Sequence, residues 1–197
     1  MWLSPRFWCG AALTLATAFV AGGAAGEPLH YTLDSAHSWV QFELLHFGTS
    51  TIRGRLGPAK GYVELDRASG QGSVGIEIDT GSVDTGIKPF DARIRRPDLL
   101  DTDANPTAWF ISRQLQFDGE RLVSLRGELT LRGTSQPLTL TATRFACHDD
   151  AITRRQICGG DFEAEIKRSD FGMHFGLPLV GDAVRLRVQV EGVRADR

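Results

Sequence analysis

The sequence has 197 residues, a formal net charge of −2 at neutral pH and 42% hydrophobic residues. This charge is not that of a basic nucleic-acid-binding domain, and the hydrophobic content is too high for a disordered chain. The length fits a single packed domain preceded by a short leader.

The first 26 residues have the order of a secretory signal peptide. Arg6 precedes an apolar run, and small residues occupy positions 22–26. The apolar run covers about 15 residues, fewer than the roughly 20 that a membrane-spanning helix needs, which argues against an uncleaved anchor. We therefore expect export, cleavage near Gly26 and a mature domain of residues 27–197.

Cys147 and Cys158 are the two cysteines that remain after this cleavage. Because an exported protein enters an oxidising compartment, we expect them to form a disulfide that closes a short loop. His148 beside Cys147 is a weak indication of zinc, because too few further ligands lie near it in the sequence. We expect no metal.

Short runs in which apolar and polar residues alternate follow one another along the chain. Alternation with period two places one set of side chains on each face of a β-strand. The predicted strands cover residues 29–33, 40–46, 52–56, 62–66, 74–79, 107–117, 123–132, 138–143, 161–167 and 184–191. The clearest pair lies within residues 120–145, where a Gly-containing break predicts an antiparallel hairpin.

The alternation is interrupted once, by a predicted helical insertion near residues 85–100. Asp84 or Thr85 is expected to cap this helix, and Pro89 suits its first turn. Three apolar residues have helical spacing: Ile87, Phe90 and Ile94.

Nine or ten short antiparallel strands fit either a sandwich or a closed barrel. Several runs are about nine to eleven residues long, roughly 30 Å, which favours an all-β barrel of about eight main strands that can hold a small apolar ligand. The alternation alone leaves both architectures open. It turns the following residues inward, as candidates for the lining of an apolar pore: Phe42, Leu44, Ile76, Ile78, Trp109, Ile111, Leu129, Leu131, Leu140 and Leu186.

No catalytic set is recognisable in the sequence. G-x-S-x-G and H-E-x-x-H are absent, and five histidines are scattered along the chain. Ser38 and His37 are neighbours, so on a strand they would point to opposite faces. We interpret Asp34 and His37 as a structural turn and expect neither an enzyme nor a cofactor.

Several segments in the same order resemble the YceI-like, polyisoprenoid-binding periplasmic proteins. They are 34–38 (DSAHS), 45–48 (LHFG), 82–86 (SVDTG), 129–134 (LTLRGT), 137–140 (PLTL) and 166–173 (IKRSDFGM). The resemblance implies an extended lipocalin-like barrel in the periplasm. Its pore would bind a polyisoprenoid or similar amphiphilic lipid, for transport or storage, without chemistry.

The same resemblance leaves an alternative open. The protein could be a stress or redox accessory that carries a quinone-like molecule for a membrane electron-transfer partner. A membrane surface or a membrane redox protein is the expected partner, and the oligomeric state is open, a dimer included. The chain departs from the family pattern at its helix, where Phe90-Asp91 and Arg93-Ile94 replace an Arg-Asp pair and His-Leu.

Aromatic and basic residues in loops and on the short helix are the candidates for the mouth of the pore and a lipid headgroup: Phe47, Arg93, Arg96, Arg168, Phe171 and Phe175. Arg93 and Arg96 could meet a pyrophosphate or an anionic membrane, or belong to a solvated helix face. Around Arg168 the backbone could bind an anion, or Arg168 could pair with Asp170 in a structural bend.

Overall fold

A computed structural model describes residues 28–66 and 69–195. Its strands are β1 (Leu29–Leu33), β2 (Trp39–His46), β3 (Ser50–Leu56), β4 (Ala59–Asp66), β5 (Gln71–Asp79), β6 (Thr107–Asp118), β7 (Arg121–Leu131), β8 (Thr134–Asp149), β9 (Gln156–Lys167) and β10 (Ala183–Arg194). One α-helix, α1, spans Lys88–Ile94. The predicted signal peptide, residues 1–26, lies outside the described residues and stays a prediction.

The strands form one antiparallel sheet that closes on itself. Along the sheet the order is β1-β4-β5-β6-β7-β8-β9-β10, and β1 pairs with β10 to complete an eight-stranded ring. Strand β2 also pairs with β10, and β3 pairs with β2. The prediction of an all-β barrel with about eight main strands and one helical insertion is confirmed.

A 3₁₀ turn at Ser35–His37 lets β1 and β2 follow the same edge of β10. The Asp34 side chain caps this turn by accepting from the Ala36 amide, and it lies 2.6 Å from Nδ1 of His37. This hydrogen bond raises the pKa of His37. The Ser38 side chain is fully buried, and its hydroxyl donates to the carbonyl of Glu191 on β10. The turn is therefore tied to the barrel wall.

The predicted central hairpin is formed by β7 and β8. Leu131 pairs with Thr134, and the two residues between them, Arg132 and Gly133, both have positive φ. Two consecutive residues with left-handed backbone conformation form a type I′ turn, whose twist matches that of the two flanking strands. Glycine at the second position relieves the steric cost of that conformation.

A bulge in β6 corrects the predicted orientation of two residues. The register between β6 and β7 shifts between Ser112 and Gln114, so β6 has one residue more than β7 at this point. Beyond the extra residue, side chains at the other alternate positions of β6 face inward. Before the bulge Phe110 and Ser112 point inward, and after it Leu115 does. The prediction that Trp109 and Ile111 face the interior was therefore wrong. Both lie on the outer wall, 43% and 54% exposed.

Helix α1 lies within the predicted insertion, between β5 and β6. Its N-cap is Ile87, which makes no capping hydrogen bond with its side chain, so the prediction of Asp84 or Thr85 as the cap was wrong. Thr85 instead donates its amide and its hydroxyl to the buried carboxylate of Asp91, which lowers the pKa of Asp91. Across the described ranges, no helix combines the length and apolar character needed to cross a bilayer.

The expected disulfide joins Cys147 and Cys158, which face each other on β8 and β9. Cys158 is buried in a small cluster with Tyr31 and Leu65. The bridge thus lies at the end of the barrel where the chain reverses between β8 and β9.

Replacing both cysteines with serine should lower the free energy of unfolding by about 3 kcal/mol, since the bridge restricts a short loop in the unfolded chain. Urea unfolding of the oxidised wild type and the double variant checks this value. Reduced wild type is the matched control and should unfold near the variant. Equal midpoints for the oxidised wild type and the variant would contradict the expectation.

Candidate functional site

An apolar cavity of about 310 Å³ occupies one end of the barrel. Strands β2, β3, β7, β9 and β10, helix α1 and the two loops that follow α1 and β9 contribute to its wall. It is lined by Phe42, Leu44, His46, Ile52, Leu56, Phe90, Arg93, Ile94, Leu99, Leu100, Leu131, Ile166, Arg168, Met173, Phe175, Val180, Val184 and Leu186. Only three of these side chains are ionisable, so the wall suits a hydrocarbon chain.

The cavity reaches the surface beside α1. Phe90 and Phe175 both line it, yet they are 40% and 52% exposed. We refer to this end of the barrel as the mouth. An apolar chain could enter here without passing a polar constriction.

A second, much smaller cavity of about 40 Å³ lies toward the disulfide end. Leu186 lines the large cavity, and Val188, the next inward residue of β10, lines the small one. A middle layer of inward residues lines neither: Val40, Ile78, Phe110, Gly127, Leu129, Leu138 and Ala164. The interior is therefore an open pore above a packed layer.

Phe110 is the largest side chain of this middle layer. Its ring lies against Gly127, where an added Cβ would come within 2.8 Å of Phe110 Cζ and within 2.3 Å of the Ile111 carbonyl oxygen. Glycine at position 127 is thus required by the close approach of β6 and of this ring. The ring belongs to the packed layer and lines neither cavity.

Arg168 holds the loop that forms one side of the mouth. Its guanidinium is buried and donates to the carbonyls of Met173, Val180 and Gly181 at 2.7–2.8 Å. Burial lowers the pKa of Arg168. The proposed pairing of Arg168 with Asp170 was wrong, because backbone carbonyls take all these donors. Arg168 therefore shapes the pore wall.

Arg93 is committed to a partner as well. Its two terminal nitrogens donate to both oxygens of Asp98 at 2.6 Å, and its guanidinium stacks on the ring of Phe175 at 3.8 Å. The hydrogen bonds from Arg93 hold the pKa of Asp98 at about 2. The pair fixes Phe175 beside α1 and neutralises the charge of Arg93.

The pore residues predicted from alternation fall into four groups, and ligand contact by any of them stays a prediction. Phe42, Leu44, Leu131 and Leu186 line the large cavity. Ile76 and Leu140 line the small cavity. Ile78 and Leu129 belong to the middle layer, and Trp109 and Ile111 lie outside, as described above.

Among the predicted mouth residues, Arg93, Arg168 and Phe175 line the large cavity. Phe47 is 54% exposed at the end of β2, and Arg96 is exposed after α1. The prediction of Phe171 as a rim residue was wrong. It lies in the 3₁₀ turn Arg168–Phe171 and is buried against Val83, Leu100 and Met173.

Sequence reasoning missed more than half of the cavity wall. Ile52, Leu56, Ile166 and Val184 share the inward parity of their strands, so the alternation contained the signal for them. Phe90 and Ile94 belong to the recognised helical stripe. The loop residues Leu99, Leu100, Met173 and Val180 follow no periodic pattern and had no such signal.

One group among the described residues could hold a metal ion, formed by Asp34, His37 and Glu191. The nitrogen of His37 that faces both carboxylates is already hydrogen-bonded to Asp34, and the Glu191 carboxylate lies 3.9 Å from it. Binding a cation there would break the hydrogen bond that holds the corner. The group is thus accounted for as a structural turn.

The sequence and the fold of this chain are similar to those of known proteins. Residues 31–192 match the YceI-like domain. A "UPF0312 protein" of Pseudomonas aeruginosa (strain LESB58) is 32% identical over 186 residues, which are 93% of this chain and 96% of that protein. BcnA of Burkholderia cenocepacia superposes with a TM-score of 0.67 at 24% identity, covering 81% of this chain and 98% of that one.

A further solved structure is described as a polyisoprenoid binding domain from Saccharophagus degradans implicated in plant cell wall breakdown. It superposes with a TM-score of 0.60 at 20% identity and covers 85% of this chain and 99% of that one. At these identities the two solved structures support the fold alone.

Replacing Arg168 with Met should lower the free energy of unfolding by about 3 kcal/mol, because three carbonyls lose a charged donor. Hydrogen exchange should also quicken at residues 173–181. Urea unfolding and exchange of backbone amides test both effects. Arg168→Lys is the matched control and should recover only part of the loss, since an ammonium lacks the planar fork. A Met variant with unchanged unfolding and exchange would refute the anchoring role.

Proposed function

The chain belongs to the YceI-like family, and from this premise we propose that it binds the apolar chain of a polyisoprenoid or similar amphiphilic lipid in its pore. The observation that carries the proposal is the cavity of about 310 Å³, walled by apolar side chains and open beside Phe90 and Phe175. Burial of a hydrocarbon chain there would drive binding by removing apolar surface from water. The Saccharophagus degradans structure, described as a polyisoprenoid binding domain, supports the same ligand class.

The protein acts, in this proposal, as a non-enzymatic carrier or store in the periplasm. Two observations support that location. The N-terminal sequence has the order of a signal peptide, and a bridged Cys147–Cys158 pair is typical of an oxidising compartment. The binding step needs no bond to form or break, and the cavity's ionisable side chains, His46, Arg93 and Arg168, have no role as reactants in it.

A second candidate cargo is a quinone-like molecule carried for a membrane redox partner. The state of the cations at the mouth favours an uncharged headgroup of this kind. Arg168 donates to three carbonyls, and Arg93 is paired with both oxygens of Asp98. A phosphate or pyrophosphate would have to displace Asp98 to make a bidentate contact with Arg93.

Lipid extracted from natively purified protein and analysed by mass spectrometry tests the proposal. A prenyl lipid is the expected result, and a prenylated quinone would favour the second cargo. Protein that carries no lipid and also fails to take up a prenyl lipid after purification would contradict both.

Replacing Leu186 with Gln should weaken binding of a prenyl alcohol by at least about fivefold, since an amide replaces apolar wall inside the pore. Ile111→Gln is the matched control, because its side chain lies on the outer wall, and it should bind as the wild type does. Fluorescence displacement on folded protein measures both. Unchanged affinity in the Leu186 variant, or an equal loss in the control, would count against the pore.

Replacing Phe110 with Ala should join the two cavities and admit longer chains. The truncation is expected to cost about 3 kcal/mol of stability as well, because it removes a buried ring. The chain-length distribution in lipid extracts is the measurement. Phe162→Ala is the control, because Phe162 lines the small cavity and its truncation enlarges that cavity alone. This variant should have the chain-length distribution of the wild type. An unchanged distribution for Phe110→Ala would show that the middle layer does not limit chain length.

A further inference from the structure

We propose that His46 selects the headgroup of the cargo by hydrogen bonding to the oxygen of an uncharged group, a hydroxyl or a carbonyl. The inference rests on the proposed lipid-binding function and adds the residue that would distinguish one headgroup from another. Three observations support it: the place of His46 at the mouth end of an apolar strand face, an imidazole without a hydrogen-bond partner, and arginines that already have partners.

His46 is the last residue of β2 and lies at the mouth end of that strand. Phe42, Leu44 and His46 occupy alternate positions of β2, and all three line the cavity. Alternate residues of a strand are about 7 Å apart, so His46 lies roughly 13 Å from Phe42 along β2. A hydrocarbon chain that extends along Phe42 and Leu44 would therefore bring its polar end to the imidazole.

The side chains beside Phe42 and Leu44 offer no hydrogen bond to a headgroup. Phe42 pairs with Leu186 on β10, and Leu44 pairs with Ile52 on β3. Both partners also line the cavity. A polar group that is buried without a hydrogen bond costs free energy, so a headgroup oxygen is disfavoured at this level of the pore. It is favoured at the level of His46, where a polar side chain meets the cavity.

The backbone of His46 is held on both sides. It pairs with Ser50 on β3 and forms a β-bridge with Val180 on the opposite side. The Phe47 amide, next in the chain, donates to the Leu179 carbonyl at 2.7 Å. The Phe47 ring meets the imidazole edge to face, with the ring centroids 4.5 Å apart. The imidazole thus has a fixed place at the mouth, as a selective binding group requires.

The imidazole of His46 has hydrogen-bonding capacity that the protein does not use. Within residues 28–66 and 69–195, no side-chain hydrogen bond or ion pair reaches it, and its ring contact is with Phe47. A neutral imidazole carries a donor on one nitrogen and an acceptor on the other. A hydroxyl can bind to either nitrogen, because it both donates and accepts, whereas a carbonyl can bind to the donor.

The two arginines of the cavity wall have partners of their own. Both terminal nitrogens of Arg93 donate to Asp98. Arg168 donates to three carbonyls, and the charge of Asp182 opposes the lowering of the pKa of Arg168 by burial. A phosphate presents three oxygens that need charge-assisted donors. A hydroxyl or carbonyl needs only one hydrogen bond, which a single imidazole supplies.

Competition between ligands with the same prenyl chain tests the selection. A prenyl alcohol, the corresponding hydrocarbon and the prenyl phosphate each displace a fluorescent fatty acid from folded protein. The ratio of alcohol affinity to hydrocarbon affinity should fall about fivefold in His46→Phe, the effect of one neutral hydrogen bond. His46→Gln keeps a donor and an acceptor and should recover part of the ratio. Wild type should bind the alcohol more tightly than the phosphate.

His174→Phe is the matched control. His174 is an exposed histidine in the loop after β9 and does not line the cavity, so its variant should keep the wild-type ratio. A prenylated quinone replaces the alcohol in a second series, and the ligand with the larger fall in His46→Phe identifies the oxygen as hydroxyl or carbonyl. NMR of wild type with isotope-labelled histidine checks the contact without a variant: the alcohol should shift the ring signals of His46 and leave those of His174 unchanged.

The outcomes separate this inference from the proposed function. An unchanged ratio in His46→Phe for both alcohol and quinone, an equal fall in His174→Phe, or His46 signals that do not shift at saturation would overturn the selection by His46. Tighter binding of the phosphate by wild type would overturn the uncharged headgroup. Wild type that binds neither the alcohol nor the hydrocarbon would instead contradict the proposed function.

Discussion

Strand β10 has paired neighbours along both edges, and the closed interior depends on this. One edge pairs with β9 over eleven positions, while the other pairs with β2 near the mouth and with β1 at the far end. The 3₁₀ turn between β1 and β2 makes this shared edge possible, and the buried Ser38 ties the turn to Glu191. Without the corner, the sheet would present an unpaired edge and the apolar faces would lack a common interior.

The closed barrel is filled unevenly, and the choice of side chains explains where. Phe110 seats its ring on Gly127 and, with Leu138, packs the middle of the barrel. Toward the mouth the wall is extended by α1 and by the loop that Arg168 holds, so these elements stand away from the strands and enclose space. The pore thus forms where α1 and the loop held by the hydrogen bonds of Arg168 extend the wall beyond the packed part of the barrel.

Alternation predicted the strands and the inward facing of Phe42 and Leu186, because period two is imposed directly by backbone geometry. It failed at Trp109 and Ile111, because a bulge in β6 reverses which alternate residues face inward. No residue type in the sequence marks the position of that bulge. The partners of Arg168 were out of reach for a different reason. They are backbone carbonyls, two of which lie 12 and 13 residues away, and every residue offers such a group.

At the mouth, exposed aromatic rings lie beside Arg93 and Arg168, which already have partners, and this favours cargo recognised by its chain. A prenyl chain with a nitroxide at its apolar terminus, added to protein with labelled Ile and Leu methyl groups, tests that account most directly by NMR. The account predicts paramagnetic broadening at Leu186 and Ile166 in the pore, with Ile111 and Ile152 unaffected. Broadening at Ile111 with sharp Leu186 signals would contradict it.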